Sequence, residues 1–199
     1  MIRSFGFTFI ARERVMDYIP KAEWQWVFDH QQGKLSVVDR DRSFPIVYQS
    51  NMLRLRESQV LSFTVEDVAR YIELFEGGSL SHFEEPLRCK IILHLLAIDI
   101  FHKPIMPKSW LFQNAEHPQT QYTHGELAML TTSGIPESAK YMVLEQQDNF
   151  CLCMLFDESH LFTNGKTFKQ FQIIKVTVDK LTPCDQSQPH EWVSFQNAG

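Results

Sequence analysis

Residues 85–104 read EPLRCKIILHLLAIDIFHKP, and the period of their apolar positions decides the fold. Between Ile91 and Phe101 apolar side chains occupy most of a helical circumference, interrupted by His94 and Asp99. A helix apolar on most sides needs packing partners on more than one side, so it is expected at the centre of its domain. Pro86 falls in the first turn, where its missing N–H costs nothing. Pro104 ends the run, because the residue before a proline avoids helical angles. The run is too short and too interrupted for the roughly 20 apolar residues that cross a bilayer.

On the N-terminal side a second helix is expected over residues 64–76 (TVEDVARYIELFE). Thr64 is its N-cap, Gly77-Gly78 its stop, and Val65, Val68, Ile72 and Phe75 its apolar face. Further back the period drops to that of strands. Residues 23–29 (EWQWVFD) and 35–39 form a hairpin about a turn at Gln32-Gly33. Residues 44–49 add a third strand, which Pro45 places at an edge or a strand start.

Beyond Pro118 the helical signal disappears. Short strands are expected over 141–145, 150–156, 160–162, 167–174 and 176–181, with turns at Asp148-Asn149 and Asn164-Gly165. The fold class is therefore α+β. An N-terminal α/β region over 16–113 carries a hairpin or small sheet and two helices, the second buried. A C-terminal all-β region over 114–185 is a curled sheet or barrel. Residues 186–199 are polar and turn-rich, and are expected to form a flexible tail.

Composition bounds the function. With 44% apolar residues and 16 Phe the chain has material for a real core, and its net charge of −5 argues against general binding of nucleic acid or anionic membrane. Cys89, Cys151, Cys153 and Cys184 lack a framework spacing and read as reduced cytosolic thiols. Residues 5–10 are apolar but too short for a signal peptide and lack a cleavage site.

No nucleophile elbow, phosphate loop or dinucleotide fingerprint is present. Cys151-x-Cys153 lacks the two-residue gap and second pair of a thiolate metal knuckle, and His94 and His102 are about 12 Å apart along their helix, too far to share an ion. Buried core cysteines are the simpler reading. A small cytosolic enzyme with a site near the buried helix or Cys151/Cys153 is the rival function.

Residues 103–112 (KPIMPKSWLF) stand apart. Two prolines stiffen the segment, and Met106, Trp110 and Phe112 alternate with Lys103 and Lys108, the composition of a protein-binding patch. A rigid interdomain strap with Trp110 in the seam fits the same residues. Both readings stay open on composition.

K-P-x-M-P-K-S-W-x-F resembles the corresponding stretch of the ZapC family, Z-ring-associated cell division proteins of gamma-proteobacteria. Trp24, Trp26 and Asp29 match that family's opening W-x-W-x-x-D, and residues 65–71 fit its first helix in part. Residues 148–155 and 174–183 resemble its late strands. The resemblance spans roughly residues 16–183.

It implies a twisted β-barrel-like C-terminal region, no cofactor and no enzyme activity. The implied partner is FtsZ in its polymeric form, whose filaments the family bundles laterally at midcell in the cytoplasm. No nucleic acid or membrane partner is implied, and the chain is expected as a monomer or weak homodimer. Because FtsZ is acidic, contacts are expected at local basic residues. Val37, Lys103 and Lys108, with Trp110, form one candidate cluster, and Lys166, Lys169 and Lys175 a second. Residues 1–15 have no counterpart in the family, which begins at the equivalent of Met16, and are expected to be a non-native or disordered extension.

Overall fold

The computed structural model describes residues 19–40 and 42–184, so the expectations for residues 1–15 and for the 186–199 tail lie outside the described residues. The chain divides into two compact units, Met1–Pro104 and Ile105–Gly199. Residues 105–113, assigned to the first domain from the sequence, thus belong to the second unit.

In the first unit β1 (Gln25–Asp29), β2 (Lys34–Asp39), β3 (Arg42–Ile46) and β4 (Gln59–Ser62) form one antiparallel sheet in the order β3-β2-β1-β4. Strand alternation places Trp26 and Phe28 of β1, and Leu35 and Val37 of β2, on a single buried face. The tight turn between these strands needs Gly33, whose φ is +65° and which has Ser50 Oγ 3.3 Å from where a Cβ would stand. Pro45 is exposed on β3, an edge strand, where its missing N–H breaks no ladder.

The helices cover that face. α1 (Val65–Glu76) starts from Thr64, which closes a reciprocal capping box with Asp67, and Asp67 also accepts from Trp26 Nε1 at 3.3 Å. Thr64→Ala should lower stability by about 1 kcal/mol, read as a shift in urea midpoint at unchanged m-value.

The expected apolar face of α1 is corrected in part. Tyr71 and Leu74 are its buried residues, while Val65 is 80% exposed and Ile72 is exposed too. Edge-on packing of Tyr71 against Trp24, at 6.3 Å, sets the rotation of the helix. α2 (Glu85–Phe101) buries every residue from Ile91 to Ala97, as its all-round apolarity requires. Trp24, Trp26, Phe63 and Phe101 join sheet and helices through ring contacts of 5.2–5.4 Å.

In the second unit β5 (Leu127–Thr131), β6 (Ser138–Gln147), β7 (Phe150–Leu155), β10 (Ile173–Thr177) and β11 (Thr182–Pro183) form an antiparallel sheet ordered β10-β7-β6-β5-β11. β8 (Ser159–Leu161) and β9 (Thr167–Lys169) make a separate two-stranded ribbon. The architecture is α+β with two helices and antiparallel sheets. The sheet is open, and no closed barrel forms among the described strands.

One face of it packs Ala128, Leu130, Tyr141, Val143, Cys151, Cys153, Ile174 and Val176 into a continuous core. Within that core His160 is fully buried and satisfied on both nitrogens, by Thr132 Oγ1 and Tyr141 Oη, each at 2.9 Å. Such a closed polar network fixes one arrangement of the surrounding side chains.

Candidate functional site

Residues 105–112 are stitched to the open edge of β10. Pro107 bridges Lys175 in parallel, Lys108 N–H donates to Lys175 O at 2.8 Å, and Ser109 Oγ accepts from Thr177 N at 2.9 Å. A single 3-10 turn over Ser109–Leu111 then points the two aromatics in opposite directions. Phe112 enters the core beside Phe162, Tyr141 and His160 at ring distances of 5.7–6.4 Å. Trp110 stands 71% exposed, and Met106 76% exposed.

Within the second unit the anchoring ring is therefore not Trp110. Phe112 is the anchor, and the indole is left on the surface.

Lys108 is exposed on this segment, and Lys175 lies next to it through the backbone bond. The Lys175 ammonium sits 5.4 Å from the Phe150 ring centroid, a cation–π contact that orients it. Met106, Lys108, Trp110 and Lys175 thus share one edge of the second unit. The backbone from Lys108 to Phe112 is hydrogen-bonded, so little ordering entropy remains to be lost there on binding.

Other candidates lie elsewhere. Lys166 and Lys169 are exposed on the β8–β9 ribbon, their backbone N–H groups held by Asn164 Oδ1 at 3.0 Å and Gln172 Oε1 at 2.9 Å. The ribbon's loop reaches the same neighbourhood indirectly, because Thr163 donates to Ser133 O and Ser133 N–H donates to Leu111 O. Lys103 belongs to the first unit, is exposed, and donates from Nζ to Asn51 O at 2.9 Å.

Val37 is 0% exposed, paired across the sheet with Trp26 and Phe44. As a direct surface contact it is corrected: it is a core residue of the first unit.

Sequence reasoning missed a buried ion cluster. Asp39 is 3% exposed, accepts from Lys21 Nζ and Arg42 Nη2 at 2.9 Å each, and is held below its usual carboxylate range first by the Lys21 hydrogen bond. Asp39 and Arg42 bracket the β2–β3 turn, and the D-R-D-R run at 39–42 was its only signal.

The groups offered for catalysis are poorly placed for it. Burial pushes the Cys151 thiol up to about 11 and Cys153 well above its ordinary value, away from thiolate reactivity. Burial lowers His94 to about 4, and both of its nitrogens are engaged by backbone groups. Among the described residues no cluster of His, Cys, Asp and Glu is arranged to hold a metal ion, and no helix is long and apolar enough to cross a membrane.

Two family models match the chain one after the other: the cell-division protein ZapC N-terminal model over residues 17–103 and its C-terminal model over 104–187. The chain belongs to the ZapC cell-division family. The boundary between the two models falls within a residue of the division between the two compact units.

A cell division protein ZapC from Psychromonas ingrahamii is 46% identical over 168 residues, covering 84% of this chain and 89% of the relative. ZapC proteins from Pseudoalteromonas atlantica and Musicola paradisiaca are 31% and 29% identical, over 83% and 92% of the chain and 93% and 100% of the relatives. The family is one of cell-division proteins and is not a known enzyme family.

Proposed function

We propose that this chain binds polymerised FtsZ directly in the cytoplasm and promotes lateral bundling of its filaments, stabilising the ring at midcell. The observation that carries the reading is the exposure of Trp110 and Met106 beside Lys108 and Lys175 on a backbone already fixed to the β10 edge. Trp is the residue most enriched at binding hot spots, and an indole left in water by a folded unit is material for such a contact. The lysines supply local positive charge on a chain whose net charge is −5, and so meet an acidic filament without overall attraction. Lys103 gives the first unit a cation of its own, and two weak contacts per chain gain strongly from avidity on a polymer.

Co-sedimentation with FtsZ assembled in GTP, against FtsZ in GDP, tests this. Trp110→Ala should weaken co-sedimentation by about thirtyfold, the effect of a hot-spot loss of about 2 kcal/mol. Lys108→Glu and Lys103→Glu should each weaken it less, and lose most of their effect at high salt. All three should keep the wild-type thermal midpoint, since none of these side chains is buried. Wild-type binding by Trp110→Ala would refute the assignment of the patch.

A further inference from the structure

We infer that Ser109 is a positioning residue for filament binding: its hydroxyl stands in for a backbone carbonyl on the β10 edge and thereby turns Trp110 out to solvent. The effect on binding rests on the FtsZ reading above; the turn itself does not. Pairing of Pro107 with Lys175 sets the phase of the parallel ladder, with Lys108 N–H donating to Lys175 O. Carried on by two residues, such a ladder would give the Thr177 N–H to the Lys108 carbonyl.

The chain takes another course. Thr177 N–H goes to Ser109 Oγ at 2.9 Å, and Thr177 Oγ1 donates to the same oxygen at 3.1 Å. The Lys108 carbonyl accepts instead from Leu111 N–H at 3.0 Å, which closes the 3-10 turn over Ser109–Leu111. Lys108 has already left the extended region, at ψ 37°.

The exchange of acceptors decides where the aromatics go. Continued as a strand, the segment would put Trp110 and Phe112, two residues apart, on one face. The turn separates them, leaving Phe112 3% and Trp110 71% exposed. Phe112 N–H closes the turn from its far side by donating to Ser109 O at 3.1 Å. Without the hydroxyl, the part-buried Thr177 N–H still needs an acceptor, and the ladder supplies the Lys108 carbonyl. Leu111 N–H then loses its partner, and the indole loses its fixed exit from the fold. An indole that must be ordered at the moment of contact binds more weakly than one already in place.

Hydrogen exchange on the free protein tests the turn, and co-sedimentation with FtsZ assembled in GTP tests its consequence. In Ser109→Ala the Leu111 amide should exchange at least about tenfold faster, while the amides of the β10–β7 ladder and the thermal midpoint stay as in wild type. Co-sedimentation should weaken by about tenfold, less than in Trp110→Ala because the indole is kept and only its placement is lost. Ser109→Thr keeps the acceptor and should hold both readouts within about twofold of wild type. In a Trp110→Ala background, adding Ser109→Ala should change binding by less than about twofold, since Ser109 acts through the indole. A merely structural role would lower binding there as well.

Unchanged exchange at Leu111 in Ser109→Ala would overturn the role of the hydroxyl, as would a Ser109→Thr chain that behaves like Ser109→Ala. Full binding by Ser109→Ala, or additive losses in the double variant, would overturn its link to the filament. A wild-type chain that fails to bind FtsZ would overturn that link together with the function proposed above, and the exchange result would still decide the turn.

Discussion

Lowering the pH from 7.5 to 5 should destabilise the protein by roughly 2 kcal/mol through His94 alone, seen as a fall in the urea midpoint. The His94 ring is buried, with its Nδ1–H donating to Lys90 O at 2.7 Å and its Nε2 accepting from Val47 N–H at 3.3 Å. That pair of contacts defines one neutral tautomer. A second proton would go onto Nε2, against an N–H that already points at it, and would be buried away from water near the Lys90 charge.

Burial is the largest cause, and it lowers the folded-state pKa to about 4. The unfolded value is near 6.5. A folded pKa below the unfolded one leaves stability intact above pH 6.5, and stability is lost as the pH falls from there toward 4. His102 in the same unit and His160 in the second are shifted the same way, each chiefly by burial, so both add to the loss. Asp39 acts lower, since its stabilisation is lost only as the pH falls through its depressed carboxylate range. His94→Gln should flatten the profile between pH 7 and pH 5. An unchanged slope in that variant would remove His94 from the account.

Much of this fold is legible in the sequence because it is written in local periods. The β1–β2 hairpin, the Thr64 cap, the buried α2 and the turns at Asp148 and Gly165 each rest on residues within a few positions of one another. What escaped rests on distant contacts. β4 is four residues long and follows Arg56 and Glu57, so its membership in the sheet is decided by pairing with β1 some 35 residues earlier. β5 reads LAMLT, with little β-branching, and is a strand because β6 and β11 flank it.

The α1 stripe has the right period but the wrong centre, because the large rings of Trp24 and Tyr71 set which side turns inward. The same limit governs the candidate site. Nothing in KPIMPKSWLF says which aromatic enters the core. That is set by the bridge from Pro107 to Lys175, a pairing across 68 positions.

Replacing Val37 by Asp should unfold the first unit at neutral pH and abolish the proposed FtsZ co-sedimentation as a consequence. The side chain lies in the middle of the sheet's inner face, between Trp26 on β1 and Phe44 on β3, and is fully buried. Burying a carboxylate there without a partner costs several kcal/mol even after its pKa rises to neutralise it, and about 1.5–3 kcal/mol of apolar burial is lost as well. The sum reaches the whole stability of a typical domain, about 5–15 kcal/mol.

Loss of binding in such a chain would therefore say nothing about contact, and the informative comparison is Val37→Leu. One added methylene in a packed face costs about 1–3 kcal/mol and leaves the surface at Met106, Lys108 and Trp110 unchanged. Across Val37→Leu, Val37→Ala and Val37→Asp, co-sedimentation should fall in proportion to the unfolded fraction read from the same samples by circular dichroism. Trp110→Ala should break that proportion, losing binding while folded. A folded Val37→Leu chain that fails to bind would mean that the inner face opens to meet the filament, and would return Val37 to the interface.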